Sequence, residues 1–300
     1  MGIQQPGSKV WQGFLNLHKE AGLTSHDCVG QVRRILKERR IGHGGTLDPL
    51  ATGVLPLAVG PMTRLLPYLP DDKGYQATVR FGVQTTTDDL EGEILAQAPC
   101  GYLTLAEVQA ALKQFVGQIE QVPPQYSAIR QQGKHLYELA RAGIAVAVPP
   151  RVVQIHSLTV LSWRSGDFPE VVLQVSCGGG TYVRSLARDL GLALETGGTL
   201  AGLVRTQSSG FYLKESLTLD QVRSAVGAGS LQLLSPAQAL NHFQRADLDE
   251  DAAQALGFGQ KVPWFGGTGL VQVWQGEKFL GIGRGEGQKL QPITILSGTH

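Results

Sequence analysis

The sequence predicts an α+β fold, because helical patterns and alternating apolar strands follow one another without a regular β–α–β rhythm. The chain has 300 residues, of which 42% are hydrophobic, enough for one large domain of roughly 200–250 residues and a small one. After the polar stretch NHFQRADLDED the pattern changes to short, glycine-rich strands. We therefore expect one domain over residues 1–243 and a small β-rich domain over residues 244–300.

The elements of the first domain can be predicted from periodicity and capping residues. GFLNL at 13–17 has the composition of a buried strand, and Ser25 is placed to cap a helix over 26–38. Residues 75–83 alternate as a strand does, and Thr104 begins a helical pattern over 104–118. The other expected elements are strands at 53–60, 94–95, 151–162 and 171–177, and helices near 136–140, at 182–194 and at 218–240.

The charge is nearly balanced, but it is unevenly distributed. The net charge of +1, from 26 Lys and Arg against 25 Asp and Glu, is less basic than is usual for a nucleic-acid-binding protein. RRILKERR at 33–40, however, has five basic residues and one acidic residue, and 130–151 is also basic. Because salt screens charges beyond about 8 Å, a phosphate group would respond to these local surfaces.

The cysteines and the N-terminus indicate a cytoplasmic protein. Cys28, Cys100 and Cys177 are odd in number, far apart and never in a Cys-x-x-Cys pair, which argues against a disulfide framework or a structural zinc site. The N-terminus has no apolar signal core, and no apolar run is long enough to span a membrane. We expect a cytoplasmic protein without membrane attachment.

The strongest local candidate for a site is the glycine-rich loop GHGGTLDPLATG at 42–53. Its glycines allow sharp bends and a close approach to a ligand. Pro49 biases Asp48 towards an extended conformation, and the neighbouring leucines would partly desolvate its carboxylate. Such a carboxylate needs a cationic partner to stay ionised. The loop alone fits equally well a surface turn in which Asp48 caps the following strand.

Arg184, in TYVRSLARDL, is the candidate partner for Asp48. It falls on the first turn of the predicted helix 182–194, and a fork-shaped guanidinium can hold a carboxylate bidentately. The alternative is a solvated helix arginine, as we expect for Arg188. Tyr182 could present its ring to a ligand or lie in the core.

Other motifs match known sites poorly. GHGGTL lacks the third glycine of G-x-G-x-x-G, and SCGGGTYVRSL has Val183 at that position, although it lies between a predicted strand and a predicted helix. The chain has no G-x-x-x-x-G-K-[ST] phosphate loop. The acidic turn TTTDDLEGE has no calcium-loop spacing, and His43 has no partner at ligand spacing. We therefore expect a solvated hairpin turn at 85–93 and no metal site.

The segment 126–141 interleaves aromatic side chains with basic ones. The aromatic residues are Tyr126, His135 and Tyr137, and the basic residues are Arg130, Lys134 and Arg141. Aromatic rings can stack on bases while cations hold phosphates, which fits an RNA-binding segment. An ordinary amphipathic helix with a solvated basic face fits the same pattern.

Six segments, taken in order, resemble the TruB family of tRNA pseudouridine-55 synthases. They are GFLNLHKEAGLTSHD, GHGGTLDPLATGVLPLAVG, KGYQATVRFG, QVPPQYSAIRQQGKHLYELARAG, GGGTYVRSLARDLG and LVRTQSSGF. The resemblance implies a pseudouridine synthase fold, with a mixed, largely antiparallel sheet flanked by helices. It also implies an RNA-binding insertion at about 124–152 and a PUA-like RNA-binding domain over 244–300.

The resemblance also implies roles for individual residues. Asp48 would be the catalytic aspartate, Arg184 its ion-pair partner, and Tyr75 the residue that stacks on the flipped base. The expected substrate-binding residues are Tyr182 and Leu203 around the uracil, His43 against the rearranged RNA loop, and Lys19 near the pocket. The chain departs from the family pattern at Glu20, where proline is usual, and at Thr86, where aspartate is common.

The implied activity is isomerisation of uridine to pseudouridine at position 55 in the T-loop of tRNA, by base flipping. The reaction involves neither redox chemistry nor phosphate transfer, so we expect no cofactor and no metal. The expected partner is the T-stem-loop of tRNA, and we expect a monomer. Two alternatives remain: a non-catalytic tRNA-binding or chaperone protein of the same fold, and a dinucleotide-dependent enzyme that uses the loop 178–182.

Overall fold

A computed structural model describes residues 10–126 and 147–296, together with the backbone at 130–131 and 134–135. Most of the aromatic and basic segment 126–141, with the helix expected near 136–140, lies outside the described residues, so those predictions stay predictions.

The described chain alternates strands and helices in an irregular order. The helices are α1 (Ser25–Leu36), α2 (Leu105–Leu112), α3 (Val183–Ala193), α4 (Leu219–Gly227), α5 (Pro236–Ala239) and α6 (Glu250–Gly257), with 3-10 helices at Gly60–Tyr68, Lys113–Phe115 and Leu213–Glu215. The strands are β1 (Gly13–Lys19), β2 (Ile41–His43), β3 (Thr52–Val59), β4 (Lys73–Phe81), β5 (Val83–Thr85), β6 (Ile94–Gln97), β7 (Gly117–Gln121), β8 (Arg130–Gln131), β9 (Lys134–His135), β10 (Arg151–Arg164), β11 (Glu170–Cys177), β12 (Gly198–Ser208), β13 (Phe211–Tyr212), β14 (Gln244–Asp247), β15 (Val262–Pro263), β16 (Gly269–Gln275), β17 (Lys278–Glu286) and β18 (Lys289–Ile295).

A nine-stranded sheet organises the larger part of the molecule. Seven strands follow the order β1-β3-β12-β4-β11-β10-β7, while β2 pairs with β3 and β13 pairs with β12. The pair β3–β12 is parallel and the other pairs are antiparallel. Helices α2 and α3 share a buried cluster with the centre of the sheet, and α1 and α4 share another with β1 and β3. The predicted α+β class, with a mixed and largely antiparallel sheet, is confirmed.

A second sheet has the order β14-β16-β17-β18-β15 and begins at Gln244. A shared apolar cluster joins the two sheets, and it contains Phe14 and Phe211 from the first and Ile282 from the second. The Tyr68 hydroxyl is hydrogen-bonded to the Thr294 hydroxyl at 2.6 Å. The second sheet therefore packs against β1, β3 and β13 of the first sheet.

Several predicted helix boundaries are wrong. Thr24, not Ser25, caps α1, because its hydroxyl accepts from the Asp27 amide while the Asp27 carboxylate accepts from Thr24. Helix α2 ends at Leu112 instead of continuing to 118, and the chain then enters β7 at Gly117. The helix expected over 218–240 is two short helices, α4 and α5, because the chain between them forms a bridge to β1.

The elements that were not predicted include the central strand β12, the strand β14 and the helix α6. Strand β12 buries Thr199, Arg205 and Ser208, and inward-facing polar residues hide the apolar alternation that marks a strand. None of the helices in the described ranges is long and apolar enough to cross a membrane.

Candidate active site

Asp48 lies on the loop between β2 and β3, and neighbouring backbone holds this loop at several points. The Gly44 amide donates to the Pro56 carbonyl at 2.8 Å, and the Gly22 amide donates to the Pro49 carbonyl at 2.9 Å. Gly45 has a φ of +129°, a conformation that favours glycine. The loop is therefore fixed on both sides of Asp48.

Ser25 also fixes this loop. Its hydroxyl accepts from the Leu47 amide at 2.9 Å and donates to the Leu47 carbonyl at 3.2 Å. Both groups are buried, so each bond satisfies a polar atom that has no access to water. Ser25 is thus a loop anchor rather than a helix cap.

Arg184 lies on the first turn of α3 and contacts two acidic residues from other parts of the chain. Its Nε lies 3.0 Å from Oδ2 of Asp48, and its Nη1 lies 3.5 Å from Oδ2 of Asp89. The guanidinium also donates to the carbonyls of Thr87 at 3.1 Å and Tyr126 at 2.8 Å. The Asp48–Arg184 pair predicted from the sequence is present, but the guanidinium divides its donors among four acceptors instead of forming a fork with Asp48.

The two carboxylates differ in their access to solvent. The side chains of Arg184 and Asp89 are 5% and 3% exposed, whereas that of Asp48 is 36% exposed. Burial raises the pKa of Asp48, Arg184 opposes this shift, and the negative charge of Asp89 adds to it. Asp48 is consequently the accessible end of a charged cluster that is otherwise buried.

Tyr75 lies on β4 and packs in the core below the loop, 8% exposed. Its cross-strand partner on β12 is Arg205, and the nearby guanidinium charge opposes a rise in the pKa of the phenol. Burial raises the pKa of Tyr75, so the phenol is neutral at physiological pH. Leu203 pairs with Ala77 two positions along the same strands and therefore lies on the same face of the sheet.

Arg205 is 1% exposed and donates to three backbone carbonyls. They belong to Val54 (from Nε, 2.6 Å), Thr46 (from Nη1, 3.2 Å) and Gly45 (from Nη2, 3.1 Å). These carbonyls lie before and after Asp48 along the chain. Burial lowers the pKa of Arg205.

Lys19 is a buried cation next to the same loop. Its Nζ donates to the Pro49 carbonyl at 3.2 Å and to the Glu20 carbonyl at 3.0 Å. Burial lowers the pKa of Lys19, and the charge of Asp48 opposes that shift. Because Glu20 contributes its backbone carbonyl, the departure from proline at position 20 leaves the position of Lys19 near the loop intact.

His43 and Tyr182 are two of the expected substrate-binding residues, and they lie at the end of β2 and directly before α3. The ring of His43 meets the exposed ring of His26 edge-on, with centroids 5.4 Å apart, and burial lowers the pKa of His43. Tyr182 directly precedes α3, and its backbone exchanges two hydrogen bonds with the Gln121 side chain, at 2.8 and 3.0 Å. This exchange holds the start of the helix that carries Arg184 against β7.

The expectation of a solvated acidic turn at 85–93 is wrong in part. The segment does connect β5 to β6, but Asp89 is buried against Arg184, and Asp88 is ion-paired with Arg188 at 2.8 Å. Arg188 is also not a simple solvated arginine, because it donates to the Val122 carbonyl as well. The local sequence predicts a solvated turn because the cationic partners of its acidic residues are remote in sequence.

Sequence reasoning missed four residues of this region: Ser25 as a loop anchor, Asp89, Gln121 and Arg205. LVRTQSSGF was recognised only as a family segment, and the spacing of its arginine carries no signal of burial. Within the described part of the chain, His, Cys, Asp and Glu form no group of three that could hold a metal ion. The three cysteines are free and buried.

Solved structures share this fold. The chain is similar to one in the crystal structure of a Cbf5–Nop10–Gar1 complex, with a TM-score of 0.72, 24% identity, and coverage of 95% of this chain and 85% of that one. It is also similar to a chain in an H/ACA RNP bound to a substrate RNA containing 2′-deoxyuridine, with a TM-score of 0.71, 22% identity, and coverage of 96% and 86%. At these identities the likeness shows the fold.

Sequence comparison shows the family. Residues 33–183 match the TruB family pseudouridylate synthase (N-terminal domain), and residues 245–296 match Pseudouridine synthase II TruB, C-terminal. The tRNA pseudouridine synthase B of Trichormus variabilis is 54% identical over 91% of this chain and 94% of its own length. That of Synechocystis is 57% identical over 83% and 85%. The chain belongs to the TruB family of pseudouridylate synthases.

Proposed function

We propose that this protein isomerises a uridine of tRNA to pseudouridine, at position 55 in the T-loop, with Asp48 as the catalytic carboxylate. The main observation behind this proposal is the Asp48–Arg184 pair. The Asp48 side chain is partly exposed to solvent, whereas those of Arg184 and Asp89 are buried. Relatives at more than half identity are tRNA pseudouridine synthases, which supports tRNA as the substrate.

The reaction breaks the N1–C1′ glycosidic bond, turns the uracil, and joins C5 to C1′. N1 gains a proton and C5 loses one, so atoms and charge balance without a co-reactant. An ionised Asp48 can act here as a nucleophile or as a base. Arg184 favours the ionised form although burial disfavours it, which keeps the carboxylate reactive in a site that a bound nucleotide would dehydrate further.

Tyr75 and Leu203 would hold the flipped base, because they lie on one face of the sheet below the Asp48 loop. Extruding a base costs a few kcal/mol, and stacking on Tyr75 would offset part of it. Tyr182 would close the pocket at the start of α3, and His43 would pack against the RNA loop. Lys19 would hold the Pro49 side of the catalytic loop.

The rest of the chain would bind the tRNA. We assign residues 1–243 to the catalytic domain, with an RNA-binding insertion at about 124–152, and residues 244–300 to a PUA-like RNA-binding domain. The basic segment 33–40 would face phosphates of the T-stem-loop. We expect a monomer that acts on tRNA in the cytoplasm.

The test is a tritium-release assay on unmodified tRNA labelled at C5 of uridine, followed by mapping of the modified position. The parent protein should release tritium and modify uridine 55. Asp48→Asn should bind tRNA but release no tritium, because the amide has no negative charge. Asp167→Asn, which changes an exposed aspartate in the turn after β10, is the matched control and should react at the parental rate.

Near-normal turnover by Asp48→Asn would refute the catalytic role of Asp48. A parent protein that binds tRNA without tritium release would favour the non-catalytic tRNA-binding or chaperone alternative. Modification at a different uridine would retain the chemistry and refute the proposed position.

A further inference from the structure

We propose that Arg205 is a positioning residue that holds the Asp48 loop and Tyr75 in one common arrangement; this inference rests on the proposed function. No role for Arg205 follows from its local sequence. Its hydrogen bonds nevertheless reach the loop that carries the proposed catalytic carboxylate, and its cross-strand partner is the tyrosine proposed to stack on the base.

The backbone contacts of Arg205 bracket Asp48. Nη1 and Nη2 donate to the carbonyls of Thr46 and Gly45, shortly before Asp48, and Nε donates to the carbonyl of Val54, where β3 has begun. Distances of 2.6–3.2 Å place all three within hydrogen-bonding range. One planar guanidinium therefore fixes the separation between the two ends of the catalytic loop.

The position of Arg205 in the sheet explains how it reaches Tyr75 as well. On β12, Arg205 lies opposite Gly53 of β3 on one side and opposite Tyr75 of β4 on the other. Gly53 has a φ of +102°, and a Cβ there would come within 2.2 Å of the Arg205 carbonyl oxygen, so the strands approach closely at this point. The side chain of Arg205 can then interact with the Tyr75 phenol and with the loop together.

The residue type fits this role better than other residues would. Among the described residues, the hydrogen-bond acceptors of Arg205 are three carbonyls and none is a carboxylate, so the contacts provide geometry rather than charge neutralisation. Burying a guanidinium without an ion pair is costly, which argues for a specific requirement at this position. A lysine would retain the charge but could not reach several fixed acceptors with a planar fork.

Misplacing a catalytic group by about 1 Å can slow a reaction by about 10²-fold, and we expect a loss of this size in Arg205→Lys. The affinity for tRNA should be unchanged, because the buried Arg205 side chain exposes almost no surface to a bound RNA. The measurement is the single-turnover rate of pseudouridine formation at saturating protein, alongside tRNA affinity and the thermal midpoint. Arg64→Lys is the control, since Arg64 also donates to a backbone carbonyl, that of Ile295, but lies outside the site.

A double-mutant cycle separates positioning from a general loss of stability. Tyr75→Phe removes only the hydroxyl of the residue opposite Arg205 in the sheet, and if the guanidinium holds this hydroxyl, we expect a rate about tenfold lower, the size of a lost hydrogen bond. Tyr68→Phe, which removes a hydroxyl bonded to Thr294, is its control and should keep the parental rate. If Arg205 acts on Tyr75, the double variant Arg205→Lys/Tyr75→Phe should be no slower than Arg205→Lys.

A parental rate in Arg205→Lys, or single effects that multiply in the double variant, would overturn the inference while leaving the proposed function intact. If Arg205→Lys does not fold at the assay temperature, the test rests on Tyr75→Phe alone. A Tyr75→Phe rate equal to that of Tyr68→Phe would then overturn the inference. A parent protein without synthase activity would instead refute the proposed function, and this inference with it.

Discussion

Two buried arginines flank the Asp48 loop, and they differ in what they contact. Arg184 meets two carboxylates and two carbonyls, so its charge is compensated and it influences the ionisation of Asp48. Arg205 donates to three carbonyls and lies opposite Tyr75, and within the described part of the chain it forms no ion pair, so it contributes geometry rather than charge compensation. The same residue type thus adjusts the electrostatics on one side of the loop and the geometry on the other.

The largest expected effect comes from removing the charge of Arg184. Arg184→Met would leave Asp89 buried without a cation, and we expect a loss of about 3–5 kcal/mol in the free energy of unfolding, together with loss of activity. Urea denaturation monitored by circular dichroism measures the first. The double variant Arg184→Met/Asp89→Asn should recover part of the stability, because the buried unpaired charge is gone; no recovery would contradict this account.

Arg184→Lys tests the same cluster without removing its positive charge. A lysine keeps a positive charge near Asp48 but cannot serve four acceptors, so we expect retained tRNA binding with a reduced single-turnover rate. If this variant and the parent react at equal rates, a positive charge near Asp48 is sufficient for activity. The exact geometry of the Arg184 contacts would then have no importance of its own.

The geometric side of the comparison is tested by Gly53→Ala. A Cβ at this position meets the Arg205 backbone and requires a strained positive φ, and we expect a loss of about 1–3 kcal/mol in stability and a slower reaction. Gly210→Ala is the matched control: its φ of +81° is also positive, but nothing lies near the added Cβ. Equal losses in the two variants would mean that the close approach to Arg205 has no importance of its own.

The smallest expected effect concerns the ionisation of Asp48. Because burial raises the pKa of Asp48 above its ordinary value of 3.8, the rate should fall on acidification with a midpoint above that value. A raised pKa in the folded state means that the carboxylate opposes folding once it ionises. Asp48→Asn should therefore unfold at no lower urea concentration than the parent at pH 7, and any difference should disappear below the unfolded-state pKa of Asp48. A variant clearly less stable at pH 7 would contradict the raised pKa.

Local patterns were sufficient for several elements and for part of the site. Apolar composition predicts the strand β1 and alternation the strand β4, strands are also expected at the positions of β10 and β11, and the glycine-rich loop with its aspartate is a candidate site. Arg184 was selected because the start of a helix after GGGT was visible. The acidic turn and LVRTQSSGF gave no comparable signal, because burial of Asp89 and Arg205 depends on partners far away along the chain.

The sequence by itself determined many of the short strands and helices, the position of the glycine-rich loop, and the family that the ordered motifs resemble, because these depend on residues close together in the chain. Only the tertiary structure decided that β12 occupies the centre of the sheet between β3 and β4. That placement brings Arg205 beneath the Asp48 loop and beside Tyr75, and the docking of α3 brings Arg184 to two carboxylates. The physical reason is that an isolated arginine prefers water, and only the surrounding fold supplies the acceptors that make its burial favourable.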